Sequence, residues 1–140
     1  MLPSDQLPGG CQWLKLGKFW DDRGALTPVE SGQDIPFEIR RVFYFYDVPA
    51  GEKRGSHAHQ TVEHVLIAIS GSFDVILDDG ERTEKVTCDR PWRGLYLAPM
   101  VWASQVNFAG GTVGLALASA HFAETDYIRD YREFRRVIAR

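Results

Sequence analysis

GEKRGSHAHQTVEHVLIAISG, residues 51–71, is the stretch on which the reading turns. Gly51 opens it. Five residues later come His57 and His59, separated by one residue; four more lead to His64, and six more to Gly71. Side chains at i and i+2 of a strand share a face and stand about 6 to 7 Å apart at ~3.3 Å rise per residue. On a strand, His57 and His59 therefore offer two imidazoles to the same side. VLIAI (65–69) has the length of a buried strand and is far too short to cross a membrane.

Outward from this stretch, short apolar runs alternate with turns at intervals of about ten residues, the pattern of a β-sandwich or barrel. Gln12 to Lys18 alternates apolar and polar residues. DDRGAL turns the chain, and ALTPVE follows, with Pro28 indicating an edge position. FEIRRVFYFYDVP (37–49) is aromatic and β-branched. Val42, Tyr44 and Tyr46 share one face of it, and Arg41, Phe43 and Phe45 the other; one face is expected to line a cavity. SFDVILDDGE runs into a hairpin, with Asp79-Gly80 suited to a type I′ turn. GLYLAP, VWASQVNF and GTVGLALASA complete the strands. The tail differs: Ile128, Tyr131, Phe134, Val137 and Ile138 recur at helical spacing, and arginines crowd the end. This predicts a short amphipathic helix over 128–138. The expected fold class is all-β, a jelly-roll barrel with a short C-terminal helix, in one domain over 1–140 whose first ten residues form a loose leader.

Composition narrows function. The 140 residues carry a net charge of −3, are 44% hydrophobic and 25% charged, and contain two cysteines. Bulk charge argues against nucleic acid. Cys11 and Cys88 form neither a disulfide framework nor a zinc motif. The opening MLPSDQLPGG lacks the basic and apolar regions of a secretory signal. A cytoplasmic protein without membrane association is the expectation.

The spacing Gly-x5-His-x-His-x4-His-x6-Gly resembles the first motif of the cupins, small jelly-roll barrels. The motif usually has glutamate where His64 stands; Glu63 is beside it, and in a regular strand only one of them faces inward. A metal-binding cupin takes a fourth ligand from a second motif. Here GLYLAPMVWASQVNF places Ser104 at that ligand position, and serine is a poor ligand for zinc, iron or copper. Further residues narrow the likeness. DDRGAL, RRVFYFYDVPAGEKRGSHAH, AISGSF, LDDG, GLYLAPMVW and DYIRDYREF together resemble the sugar 3,4-ketoisomerases, WxcM-like cupins acting on dTDP-4-keto-6-deoxyglucose.

That resemblance implies an isomerase without metal or other cofactor, a homodimer with exchanged strands, and a place in deoxysugar and O-antigen biosynthesis. It maps the family's paired histidines onto His57 and His59, and the arginine of its Asp-x-Arg-Gly turn onto Arg23. The chemistry suits the residues. Moving a carbonyl from C4 to C3 needs a base for the C3 hydrogen, a proton returned to C4, and a carrier between the two oxygens. Histidine titrates near neutrality, so His57 is expected as the carbon base and His59 as the oxygen-side carrier. Arg54 and Arg23 suit bidentate contacts to a diphosphate. Arg41, Tyr46 and Trp102 are further candidates for substrate contacts. His64 suggests an orienting role, His121 a structural or surface one. Trp13, Trp20 and Trp92 fit the core or an interface, and the basic tail a solvated helix end. A single base working from one face of the ring predicts the galacto product. Two other readings compete: a metal-dependent cupin such as a dioxygenase, and a sugar-binding cupin without activity.

Overall fold

Strict alternation builds the inner layers. In the strand Phe73–Asp78 every second residue, Phe73, Val75 and Leu77, is fully buried, while the residues between them are partly exposed. This is the period of a strand with one face on a core. The neighbouring strand His64–Ser70 is buried without interruption from His64 to Ala68. Its residues Leu66 and Ala68 enter the core between the sheets. Val65 and Ile67 point the other way, where Leu16, Ile35 and Phe37 cover them. The run Val65 to Ala68 is continuously apolar because both of its faces are covered, whereas Ile69 at its end is exposed. Each such aliphatic or aromatic side chain contributes roughly 1.5–3 kcal/mol on burial.

The computed structural model describes residues 6–139. In chain order the strands are β1 (Gln12–Lys15), β2 (Phe19–Asp21), β3 (Gly24–Leu26), β4 (Arg41–Tyr46), β5 (Arg54–His59), β6 (His64–Ser70), β7 (Phe73–Asp78), β8 (Thr83–Cys88), β9 (Arg93–Leu97), β10 (Trp102–Val106), β11 (Val113–Ala118) and β12 (Tyr127–Ile128); helix α1 is Tyr131–Ile138. One sheet has the order β1-β9-β6-β11-β4, the facing sheet β12-β5-β10-β7-β8, and β2-β3 is a separate hairpin. All pairings are antiparallel. This is the expected all-β jelly roll with a short C-terminal helix. No helix among the described residues is long and apolar enough to cross a membrane.

Several local expectations are corrected. The helix begins at Tyr131, three residues later than the apolar spacing suggests, because Asp130 caps it: its carboxylate accepts from the backbone N–H groups of Arg132 and Glu133. Ile128 belongs to β12 instead. Phe134, fully buried, fixes α1 against Ala58 and Ile128 on the outside of the second sheet. The β7–β8 hairpin exists, but Asp78 pairs with Thr83, so four residues form its loop where a two-residue type I′ turn was expected. Asp79 Oδ1 gathers the N–H groups of Glu81 and Arg82, which stabilises the wider loop. Of the leader, residues 1–5 lie outside the described residues, whereas Pro8–Gly10 form a 3-10 turn with Pro8 buried. Gly9 N–H donates to Asp79 Oδ2 at 3.0 Å, tying this turn to the β7–β8 loop.

Candidate active site

Between the two sheets lies a cavity of about 380 Å³ walled by β4, β5, β6, β9, β10 and β12. The alternation of β4 settles which of its faces lines the space: Arg41, Phe43 and Phe45 point in. Val42, Tyr44 and Tyr46 point out, and Tyr46 is 59% exposed. On β6 the same rule turns His64 inward, where it is 5% exposed. Glu63 faces the other way and accepts from the Tyr96 hydroxyl at 2.6 Å.

β5 carries His57 and His59 into the cavity. Their ring centroids are 4.9 Å apart. His64 lies 4.3 Å from His59. Tyr127 of β12 stands 4.8 Å from His57 and 4.3 Å from His59. The phenol and the imidazoles of His57 and His59 thus share one wall, and His64 meets them from the facing sheet.

Hydrogen bonds fix the tautomers. His57 Nδ1 is 3.1 Å from the Gly55 carbonyl oxygen, which can only accept. His59 Nδ1 is 3.1 Å from Asp126 Oδ2, a carboxylate that also only accepts. Each ring therefore carries its proton on Nδ1 and leaves Nε2 with a free lone pair. Asp126 is itself held. Its Oδ1 accepts from the Thr61 N–H at 2.9 Å and the Thr61 hydroxyl at 2.7 Å, and Oδ2 from the Val62 N–H at 3.2 Å. Burial pushes the Asp126 carboxyl up, but these donors and His59 bring it below the usual range.

Burial keeps the imidazoles neutral. It is the largest influence on His57, whose pKa falls to about 4 with a further push from His59. His64 falls to about 3, again by burial first and then by His59 and His57. His59 is lowered by burial, and Asp126 opposes the shift. At neutral pH the site holds bases without a standing imidazolium charge.

Positive charge comes from the rim. Arg41, Lys53, Arg54 and Arg129 line the cavity. Among the described residues, Arg41, Lys53 and Arg54 have no carboxylate partner. Arg41 lies 4.5 Å from the Phe43 ring centre, and Arg54 lies 5.8 Å from that of Phe45. Arg129 stacks at 4.2 Å over Tyr127 and is gripped by Glu124 at 2.6 and 3.0 Å. A cavity with unpaired cations at its mouth and neutral bases within suits an anionic substrate that exchanges protons.

Of the residues singled out from sequence, His57, His59, Arg54 and Arg41 come together here. Three do not. Tyr46 is on the outer face, as the period of β4 requires. Trp102 precedes the inward-pointing Ala103 and so turns outward, 5.3 Å from Tyr131 and 5.8 Å from Phe134 under α1. Arg23 sits on the exposed β2–β3 turn, paired with Asp21 at 2.7 Å, away from the cavity of its own chain. Sequence reasoning missed Lys53, Asp126, Tyr127 and Arg129. The last three sit in DYIRDY, where the spacing of Ile128 and Tyr131 reads as helix and hides the short strand. Their place follows from the pairing of Tyr127 with His59 and of Ile128 with Ala58.

The chain is similar to known proteins over nearly its whole length. A family model described as FdtA, WxcM-like, C-terminal, matches residues 9–139. The chain is 45% identical over 127 residues, covering 91% of both, to a TDP-4-oxo-6-deoxy-alpha-D-glucose-3,4-oxoisomerase of Aneurinibacillus thermoaerophilus. It is similar to the sugar 3,4-ketoisomerase QdtA of Thermoanaerobacterium thermosaccharolyticum, solved with TDP: TM-score 0.93, 35% identity, 95% of this chain and 97% of the other. It is also similar to the TDP-quinovose 3,4-ketoisomerase WlaRB of Campylobacter jejuni, with a TM-score of 0.87, 43% identity and coverage of 91% and 98%. The chain belongs to the WxcM-like FdtA family.

Proposed function

We infer that this protein is a TDP-sugar 3,4-ketoisomerase, converting dTDP-4-keto-6-deoxyglucose into a dTDP-3-keto-6-deoxyhexose. One observation carries the mechanism: two neutral imidazoles, both with Nε2 free, stand 4.9 Å apart in a cavity edged by unpaired cations. His57 Nε2 takes the C3 proton, which the C4 ketone acidifies, and returns it to C4. His59 Nε2 takes the proton of the C3 hydroxyl and delivers it to the C4 oxygen. One C–H and one O–H bond break and one of each form, so no electron donor or acceptor is required. Asp126 orients His59 and offsets the charge that His59 gains in transit, as carboxylates do for catalytic imidazoles. Arg41, Arg54, Lys53 and Arg129 hold the diphosphate.

The product is expected to be the galacto isomer. In the gluco ring H3 and H4 lie on opposite faces, so a base serving C3 and C4 from one side sets H4 on the face that H3 left. The sheet that faces β5 contributes Arg41, Phe43, Phe45, His64, Leu66 and Leu97 to the cavity; the one imidazole among them, His64, is kept neutral by burial and holds no ready proton for C4 from across the ring. Running the reaction on dTDP-4-keto-6-deoxyglucose in D₂O tests the whole reading. The 3-keto product must appear, with a small H4–H5 coupling in the fraction that carries protium at C4; protium there marks direct return of the C3 proton by His57, and deuterium marks exchange of that proton with solvent before return. A large axial–axial coupling there means gluco, and no isomer at all refutes the function.

The assembly is a homodimer with exchanged strands. β4 is a sheet edge, and its outer face leaves Tyr44 64% exposed; the β2–β3 hairpin leaves Trp20 72% exposed. Apolar surface of this extent suits a second copy. Exchange of the hairpin is the route by which Arg23 reaches a substrate, in the cavity of the other copy. Light scattering giving a monomer mass at micromolar concentration excludes this. The setting is cytoplasmic, in keeping with the free thiols of Cys11 and Cys88.

A further inference from the structure

Ser104 occupies the position where a metal-binding cupin carries a histidine, and the mechanism above leaves it idle. It is 7% exposed and does not line the cavity. Its hydroxyl lies 3.1 Å from that of Ser56. Ser56 has φ 58°, and Gly55 before it has φ 81°. Two successive left-handed residues inside a strand are uncommon, and outside glycine such a conformation persists only where its surroundings hold it. The pairing explains their place. Ala103 is opposite His57 and Ser104 is opposite Gly55, so Ser56 is an extra residue in β5, a β-bulge.

The bulge has two results. Side chains alternate along a strand, and one inserted residue reverses the alternation beyond it. Arg54, three residues before His57, therefore faces the same cavity as His57 and His59 rather than the opposite side. The bulge also swings the Gly55 carbonyl under the imidazole of His57, 3.1 Å from Nδ1.

We propose that Ser104 is a positioning residue: its hydroxyl, bonded to that of Ser56, holds the left-handed bulge that aims His57 Nε2 and Arg54 into the cavity. The inference rests on His57 being the carbon base. It gives the serine in the vacated ligand position a function in proton transfer, exerted through the backbone. Without the clasp, Ser56 relaxes towards extended geometry, the Gly55 carbonyl turns away, and His57 loses the acceptor that selects its tautomer.

The test uses imidazole ¹⁵N spectra of the full, unliganded protein together with turnover. In the wild type His57 is expected as the single Nδ1–H tautomer. In Ser104→Ala, and equally in Ser56→Ala, it becomes a mixture, while His59, held by Asp126, keeps its tautomer and serves as the internal reference. Turnover falls about tenfold in each variant, as a sub-ångström misplacement of a reacting group allows. The double variant is no worse than either single one, because both remove the same bond. An unchanged His57 tautomer and turnover in a folded variant, or additive losses, overturns the proposal. Ser56→Ala, at a half-exposed position, decides alone if Ser104→Ala does not fold. Should the wild type fail to isomerise the keto sugar, the functional reading falls while the tautomer result still judges the clasp.

Discussion

Asp126→Asn probes the proton relay most directly. The carboxylate of Asp126 accepts four hydrogen bonds, from His59, Val62 N–H, and the N–H and hydroxyl of Thr61. An asparagine oxygen can keep the pair from Thr61. Its NH₂ then stands where Oδ2 stood, facing His59 Nδ1–H at 3.1 Å and Val62 N–H at 3.2 Å, donor against donor. His59 escapes the conflict by moving its proton to Nε2, which leaves that atom unable to accept the substrate's hydroxyl proton. The variant also loses the negative charge that steadies a transient imidazolium. A general base contributes ~10² to 10⁴ in rate, and the wrong tautomer forfeits most of it, so kcat is expected to fall by about 10² to 10³. KM is expected to stay within about threefold, since the cations at the mouth are untouched. Leaving the Val62 N–H without an acceptor costs roughly 1–3 kcal/mol of stability, readable as a lower urea midpoint. The assay is initial-rate formation of the 3-keto sugar nucleotide at saturating substrate, on protein shown to be folded at the assay temperature. A kcat within about threefold of wild type would show that Asp126 does not set the state of His59, and would remove His59 from the oxygen-side relay.

Other expectations are simpler. His57→Asn should cut kcat by ~10² to 10⁴ while nucleotide binding, followed by calorimetry with TDP, stays near wild type; a loss below about threefold removes His57 from the chemistry. Arg54→Ala should raise KM by about tenfold or more with little change in kcat, because a diphosphate contact is made equally in ground and transition states; a fall in kcat alone would place Arg54 on the sugar. Chelation by EDTA or phenanthroline should leave activity unchanged, and recovery only on adding one divalent ion would favour the metal-dependent reading. Acid should destabilise the fold. His57 and His64 titrate in the folded protein at about 4 and about 3, below the 6.5 of an ordinary histidine. The unfolded chain therefore binds more protons between these values, and stability drops as pH falls through that window. The urea midpoint should decline from pH 6.5 to 4, and His64→Gln should flatten that decline; a slope unchanged by the substitution would be the contrary result.

Much of the barrel was legible because strand burial writes itself into the chain with period two. SFDVILD announces β7, and the same alternation divides β4 into two faces, although nothing in FYFY says which face meets the cavity. That choice needed β11 beside β4, with Val113 opposite Tyr46 and Ala118 opposite Arg41, and a second sheet on the inner side. The histidine pair was legible for the same reason: i and i+2 on a strand must share a face. Trp102 and Tyr46 were misplaced because an aromatic in a strand looks alike on either face until its neighbours are known. In DYIRDY the spacing of Ile128 and Tyr131 imitates a helix, but the cap at Asp130 and the pairing of Tyr127 with His59 divide it into strand and helix.

What the sequence by itself determined is the all-β class and the strand that sets His57 and His59 on one face. These depend on local period and on the chemistry of single side chains. What only the tertiary structure decided is everything that joins residues distant in the chain. Asp126 reaches His59, 67 positions away, because β12 pairs with β5. Ser104 reaches Ser56, 48 positions away, because β10 pairs with β5 across a bulge. The Asp126 bond to His59, the Ser104–Ser56 bond behind His57 and the burial of all three imidazoles belong to the packed sheets, and only the contact of His57 with the Gly55 carbonyl is local.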